Sequence, residues 1–310
     1  MLEIALGMNS SGSSLKSASS ASSLSKWGVP LALFALYFIW GSTYLAIRFA
    51  VETLPPLLMA GIRFGLAGAL LYGYLRWRGT PAPSRTEWWG AARIGVLLIF
   101  GGNGLVTLAE SRGVSSGLAA TMVAVMPLGA AFWSGLFGRW PKVLEWGGLV
   151  LGMIGVVLLS RDGSLQGNPL GLVLILAAPL CWSFGTVWSK YLTLPRGIMA
   201  SATQMLTGSV VLVAVGLLTG ERLTQWPSSH SLWALLYLIF FGSIVAFSAY
   251  LYLVGKVAPT LATSYAYVNP VVALLLGAWL GGETIGAGAW VAIPLILGAV
   301  GIVAWSQSRG

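Results

Sequence analysis

Ten apolar runs, each long enough to cross a bilayer, divide this 310-residue chain. They cover residues 29–49, 55–76, 93–111, 115–137, 143–160, 169–190, 198–219, 231–254, 258–280 and 287–307. A membrane span needs about 20 such residues. In hydrocarbon, backbone N–H and C=O groups must bond within the segment, which leaves the helix as the form each run can take. Turn signals separate the runs, among them Pro55-Pro56, Gly79-Thr-Pro81, Arg139-Trp-Pro141, Asp162-Gly163 and Trp226-Pro227. Only 8% of residues are charged and 57% are hydrophobic, where a soluble domain carries about 25% charge. The fold class expected is therefore an all-α polytopic membrane protein with ten transmembrane helices.

The chain contains itself twice. Leu261-Ala-Thr-Ser-Tyr-Ala-Tyr-Val-Asn-Pro270 follows Leu118-Ala-Ala-Thr-Met-Val-Ala-Val-Met-Pro127 by 143 residues, with Leu118/Leu261, Ala119/Ala262, Val125/Val268 and Pro127/Pro270 identical and Thr121/Ser264 conservative. Trp40 and Arg48 match Trp182 and Lys190, and Gly152-x-x-Gly155 matches Gly298-x-x-Gly301. Each copy holds five spans. Five is odd, so the second copy enters the membrane from the other side, giving two inverted repeats around a central cavity. The expected organisation is a disordered serine-rich tail (1–28), a first five-helix repeat (29–160), a linker (161–168) and a second repeat (169–307). Pro127 and Pro270 then occupy equivalent places. Each is either a kink in a packed helix or a hinge beside a site at the repeat interface.

Lysine and arginine set the orientation. With the N-terminus in the cytoplasm, twelve basic residues fall on that side and four on the other, and Arg63 lies within a span. Both termini are therefore expected in the cytoplasm. The +9 charge is loop charge; no compact basic patch with interleaved aromatics points to nucleic acid. A lone Cys181 and a lone His230 in a Pro/Ser loop offer neither a disulfide nor a metal cluster. No cofactor, metal or catalytic residue is expected. An intramembrane enzyme would need a nucleophile with its base, a metal cluster or paired acids within a span, and the spans hold none of these.

The candidate site follows from polar and aromatic residues at membrane depth. Tyr265 and Asn269 are four apart on one helix face, beside Ser264. Asn103 lies in Gly101-Gly-Asn-Gly104, a helix stretch weakened by glycine. Trp40, Tyr44, Trp182, Trp188 and Tyr250 lie deep, grouped with Ser42, Thr43, Ser183, Thr186 and Ser243. A lone aromatic in a span is packing; the grouping points to a cavity lined by spans 1, 3, 4, 6, 8 and 9. The substrate contacts expected are Trp40, Tyr44, Asn103, Trp182, Trp188, Tyr265 and Asn269. An intramembrane arginine is expensive and functional by default. Arg63 has two readings: a partner for a substrate carboxylate or a gate latch, or a structural ion pair with Glu110. The eight acids all fall in tails, loops or span ends, which argues against a proton relay through a mid-membrane carboxylate. Gly61-x-x-x-Gly65, Gly148-x-x-x-Gly152 and Gly277-x-x-x-Gly281 read as helix-packing seams.

At this point the chain resembles the EamA-type, ten-helix branch of the drug/metabolite transporter superfamily. The resemblance runs from about Pro30 to Trp305. Its carriers are Ile39-Trp-Gly-Ser-Thr-Tyr44 with Arg48, Pro55-Pro-Leu-Leu-Met-Ala-Gly-Ile-Arg-Phe64, Gly102-Asn-Gly104, the Ala262–Pro270 stretch and Gly281-Gly-Glu-Thr284. It is nearest a bacterial inner-membrane exporter subgroup, with aromatic amino-acid exporters more distant. It implies export of small metabolites, amino acids among them, through a cavity between two five-helix halves, by a monomer or homodimer in the lipid bilayer. Export of other organic solutes or drugs and passive facilitation are the alternatives. One departure stands out: Gly138-Arg-Trp-Pro141 follows the fourth span where a glycine–glutamate follows the ninth.

Overall fold

The computed structural model describes residues 16–114, 116–160, 169–281 and 289–308, which form helices and the turns between them. The helices are α1 (Lys16–Ala50), α2 (Pro56–Trp77), α3 (Arg85–Ser111), α4a (Ser116–Val123), α4b (Met126–Leu136), α5 (Val143–Ser160), α6 (Pro169–Tyr191), α7 (Ile198–Leu218), α8 (Ser229–Val254), α9a (Pro259–Ala262), α9b (Tyr265–Gly281) and α10 (Ala289–Ser308). Six of these are long and apolar enough to cross a membrane unaided: α2, α3, α6, α7, α8 and α1 from Trp27. The α4 and α9 pairs each make up one interrupted span. The all-helical, ten-span fold expected from the sequence is the fold observed.

Local chemistry sets the helix ends. The third helix starts at Arg85, eight residues before the apolar run, because Ser84 and Glu87 form a capping box: the Glu87 N–H donates to Ser84 Oγ at 3.3 Å and the Ser84 N–H donates to Glu87 Oε2 at 2.7 Å. The α2 N-terminus is capped from a distant loop, where Glu221 accepts from the N–H groups of Leu57 and Leu58 at 3.1 and 2.9 Å. A carboxylate there satisfies orphan donors and complements the helix dipole. The serine-rich stretch read as a disordered tail is helical from Lys16 onward.

The duplication is visible in the packing. Helix α1 packs on α8 and α9b; its counterpart α6 packs on α3 and the α4 pair. Helix α2 packs on its own counterpart α7, and α5 on α10. Exchanging each span for the one five further on leaves these neighbour relations unchanged, as two interlocked inverted repeats require. Two of the glycine seams sit at close helix approaches. A Cβ on Gly61 would stand 2.5 Å from Val213 Cγ2, and one on Gly148 would stand 2.8 Å from Val303 Cγ2. The Gly277/Gly281 seam and the glycine–glutamate after the ninth span fall on residues or side chains outside those described.

Two irregularities matter for the site. Helices α3 and α8 each contain a π-helical segment, Val96–Gly104 and Leu238–Val245. These begin at equivalent places in the two repeats, and such segments recur at functional sites. The breaks in the fourth and ninth spans are not equivalent. The first falls at residues 124–125, so Pro127 stands in the opening turn of α4b. The second falls at Thr263-Ser264, while Pro270 lies inside α9b. The two prolines match in sequence and differ in structural setting.

Candidate functional site

A small cavity of about 50 Å³ lies where the repeats meet. It is lined by Trp40, Thr43, Tyr44 and Ile47 of α1; Gly102, Asn103 and Val106 of α3; Val123 and Met126 of the α4 pair; Ala178, Pro179 and Trp182 of α6; and Tyr265 and Asn269 of α9b. Both helix breaks adjoin it. The α4 break separates the lining residues Val123 and Met126, and the α9 break immediately precedes Tyr265.

The walls are an aromatic cluster held at contact distance. The Trp40 ring centroid is 4.7 Å from that of Tyr265 and 5.4 Å from that of Trp182, both edge-to-face. Tyr250 of α8 backs the cluster, 5.3 Å from Trp40, 5.4 Å from Trp182 and 5.9 Å from Tyr265. Such pairs stabilise by about 0.5–1.5 kcal/mol each beyond their burial. Hydrogen bonds fix the rings. Trp40 Nε1 donates to the Gly242 carbonyl in the π segment of α8 at 2.9 Å, Tyr265 donates to Met126 Sδ at 3.1 Å, and the Tyr250 and Thr186 hydroxyls are hydrogen-bonded. The π segment of α3 brings Gly102 against Trp182: a Cβ there would stand 2.2 Å from Trp182 Cε3. Only glycine lets the indole lie on the backbone at this point.

Two buried polar atoms of this lining find no hydrogen bond among the described residues. Asn269, 1% exposed, faces the Tyr44 hydroxyl, yet its Oδ1 accepts no hydrogen bond among the described residues. The Trp182 indole N–H lies beside the Tyr250 hydroxyl without meeting hydrogen-bond geometry. A buried polar atom without a partner costs about 1–3 kcal/mol. Convergent polar atoms in an aromatic-walled cavity are what a small-molecule site presents.

Six of the seven expected contacts meet here: Trp40, Tyr44, Asn103, Trp182, Tyr265 and Asn269. Trp188 does not; it is half-buried and stacks on Phe184 at 5.5 Å. At 100° per residue, six positions carry it about 120° around α6 from Trp182. Spans 1, 3, 4, 6 and 9 line the cavity as expected, whereas α8 stands behind it. Thr43, grouped with the aromatics in the sequence, lines the cavity too. Sequence reasoning missed Ile47, Val106, Val123, Met126, Ala178 and Pro179. The usable signals were Met126 beside Pro127 and Pro179 one turn from Trp182.

Arg63 lies elsewhere. It is fully buried on α2, its Nε donates to Ser243 Oγ at 2.8 Å, and its guanidinium sits 4.5 Å over the Phe64 ring. It does not pair with Glu110; among the described residues, only His230 and Glu52 meet ion-pair distance. Glu110 is buried near the end of α3 with no hydrogen-bond donor to either oxygen among the described residues, and the opposing charge it senses is Arg48. Trp40 and Arg63 thus grip the π segment of α8 at Gly242 and Ser243 from two helices. The described residues hold no cluster of His, Cys, Asp or Glu fit for a metal ion.

Inverted five-helix repeats, paired helix breaks and a central aromatic cavity define a multi-pass membrane transporter. The sequence profile of the EamA-like transporter family matches residues 26–161 and 169–305, and the chain belongs to that family. It is 50% identical over 272 residues to the uncharacterized inner membrane transporter YedA of Escherichia coli K12, covering 88% of this chain and 89% of that protein. It is 26% identical over 281 residues to protein PagO of Salmonella typhimurium, covering 88% and 92%. A protein of known crystal structure, 21% identical, superposes with a TM-score of 0.74 over 91% of this chain and 98% of its own, a likeness of fold.

Proposed function

We propose that this chain is an inner-membrane exporter of small metabolites, foremost amino acids with aromatic or other neutral side chains, working by alternating access with both termini in the cytoplasm. The observation that carries the reading is the unpartnered Asn269 Oδ1 in an aromatic-walled cavity between the repeats. An amide offers both donors and an acceptor, which suits the ammonium and carboxylate of a zwitterion. The indole and phenol faces attract an ammonium group. Family membership and the name of the YedA relative support transport across the inner membrane.

The cavity is far smaller than the roughly 300–1,000 Å³ of a typical small-molecule site, so the form described is contracted around the site. Substrate admission requires α4a, α4b, α9a and α9b to move at their breaks, with Pro127 and Pro270 setting local stiffness. The halves 29–160 and 169–307 rock against each other about the aromatic cluster, as broken-helix carriers do.

The test is uptake by proteoliposomes of the purified chain across a panel of amino acids, with and without a pH gradient. Saturable flux stimulated by counter-substrate is expected. Flux no greater than in protein-free liposomes for the whole panel would remove the amino-acid reading, and unsaturable flux would indicate a pore.

A further inference from the structure

A second cavity, about 520 Å³ and thus far roomier than the central one, opens at the lysine- and arginine-rich end of the molecule. Four cations line it: Arg139 and Lys142 from the α4b–α5 connection, Lys190 from the end of α6 and Lys256 from the α8–α9a connection. Its wall holds one acid, the buried Glu145. None of the four cations meets an acid at ion-pair distance among the described residues.

The topological role of basic loops explains how many such residues lie on this side. It does not explain why cations from three separate connections, drawn from both repeats, converge on one concavity. The convergence is built. Gly138, at φ 81°, ends α4b, and the Arg139 N–H closes the turn on the Ser134 carbonyl at 2.8 Å. Next to it Phe137 stacks on Tyr191, centroids 4.5 Å apart, which draws the α4b end onto the α6 end. Lys190 Nζ donates to the Val257 carbonyl at 2.9 Å, tying the α6 end to the α8–α9a connection. These contacts hold Arg139 and Lys190 close enough for their like charges to act on each other, an arrangement that an anion between them would relieve.

The floor reaches Ser134 of α4b and Thr260 of α9a, parts of the two interrupted spans that also border the central cavity. Eight residues of helix, about 12 Å, separate Ser134 from Met126. We infer that this basic vestibule binds a soluble metabolite through its carboxylate or phosphate and delivers it to the α4 and α9 breaks. The inference rests on the transporter reading and narrows its substrate to molecules bearing an oxyanion.

The test reads local charge without needing transport. In a Cys181→Ala background, Ala258→Cys places a thiol on the vestibule wall, since Ala258 is exposed and lines the cavity. The rates of its modification by an anionic (sulfonatoethyl) and a cationic (trimethylammonium-ethyl) methanethiosulfonate are compared with those of a free thiol. The expected result, with the protein in zwitterionic phosphatidylcholine nanodiscs, is an anionic preference at least about tenfold above the free thiol, in the range that focused surface charge produces. It should fall in high salt and in Lys142→Gln/Lys256→Gln. Glutarate or inorganic phosphate should slow the modification and glycerol should not. A ratio equal to the free thiol's, or a thiol that neither reagent reaches, overturns the inference. So does protection by phosphatidylglycerol in the nanodisc with none from the soluble anions, which would make the vestibule a lipid-headgroup site. Charge-selective labelling together with absent liposome flux would leave the vestibule standing and the transport reading fallen.

Discussion

Replacing Asn269 with leucine separates a substrate-binding amide from a structural one. Asn269 is buried beside Tyr44, and its Oδ1 has no donor among the described residues. Leucine has the same branched skeleton and no polar atom, and the adjoining cavity gives room for its greater bulk. Removing the orphan acceptor releases about 1–3 kcal/mol, and losing the Tyr44 contact costs about 0.5–1.5 kcal/mol. The net is on the order of 1 kcal/mol in favour of the variant, so its thermal midpoint in detergent should equal or exceed the parent's. Binding should move the other way. A substrate that hydrogen-bonds the amide loses that bond, and about 1.4 kcal/mol is a tenfold rise in Kd. The assay pairs thermal unfolding with equilibrium binding of whichever amino acid the liposome panel selects. Asn269→Ala, which also opens space, should show the same loss of affinity at lower stability. A leucine variant that unfolds well below the parent while binding substrate normally would refute the reasoning, because Asn269 would then be tying helices together.

Other residues give sharper structural tests. Gly102→Ala puts a Cβ 2.2 Å from Trp182 Cε3, where carbons need about 3.5–4.0 Å; it should destabilise by about 1–3 kcal/mol, and Trp182→Ala should relieve most of this in a double-mutant cycle of unfolding midpoints. Arg63→Gln should lower stability by loosening α2 from α8, and its effect should add to that of Glu110→Gln, since the two side chains do not pair; coupling above about 0.5 kcal/mol would contradict this. Glu110→Gln should leave counterflow exchange intact, and its loss in stably folded protein would give the carboxylate a part in the cycle. Single cysteines at Lys142 and Glu52 should label from opposite faces of the membrane; labelling of both from one face would refute this topology.

How far the sequence leads depends on which force fixes each feature. The bilayer imposes span length and internal hydrogen bonding, so the Val143–Ser160 helix begins and ends where its apolar run does. Hydropathy is silent on the amphipathic first turns of α3, which rest on the Ser84–Glu87 box. Nor does it record hydrogen-bond register, so neither π segment was legible as such, although Gly101-Gly-Asn-Gly104 marked the weak place in α3. Trp40, Tyr44, Trp182, Tyr265 and Asn269 could be gathered because pairs four apart, and residues at equivalent places in two repeats, share a geometry that counting reveals. Arg63 could not be placed by counting, because its partner depends on how α2 and the π segment of α8 meet, which no spacing within either helix encodes. The breaks make the same point most clearly. Pro127 and Pro270 match at an offset of 143 residues, and a proline frees one carbonyl a turn back in either copy. Yet the ninth span breaks at Thr263-Ser264 instead, where the Thr263 hydroxyl donates to the Pro259 carbonyl and the Ser264 hydroxyl to that of Leu261, at 2.8 and 2.7 Å. Those hydroxyls stabilise an interruption that Ala120, the first-copy counterpart of Thr263, has no side-chain donor to support. The two repeats therefore share a fold and a proline but bend at different residues, and the side-chain oxygen that only the second copy has at this place is that of Thr263.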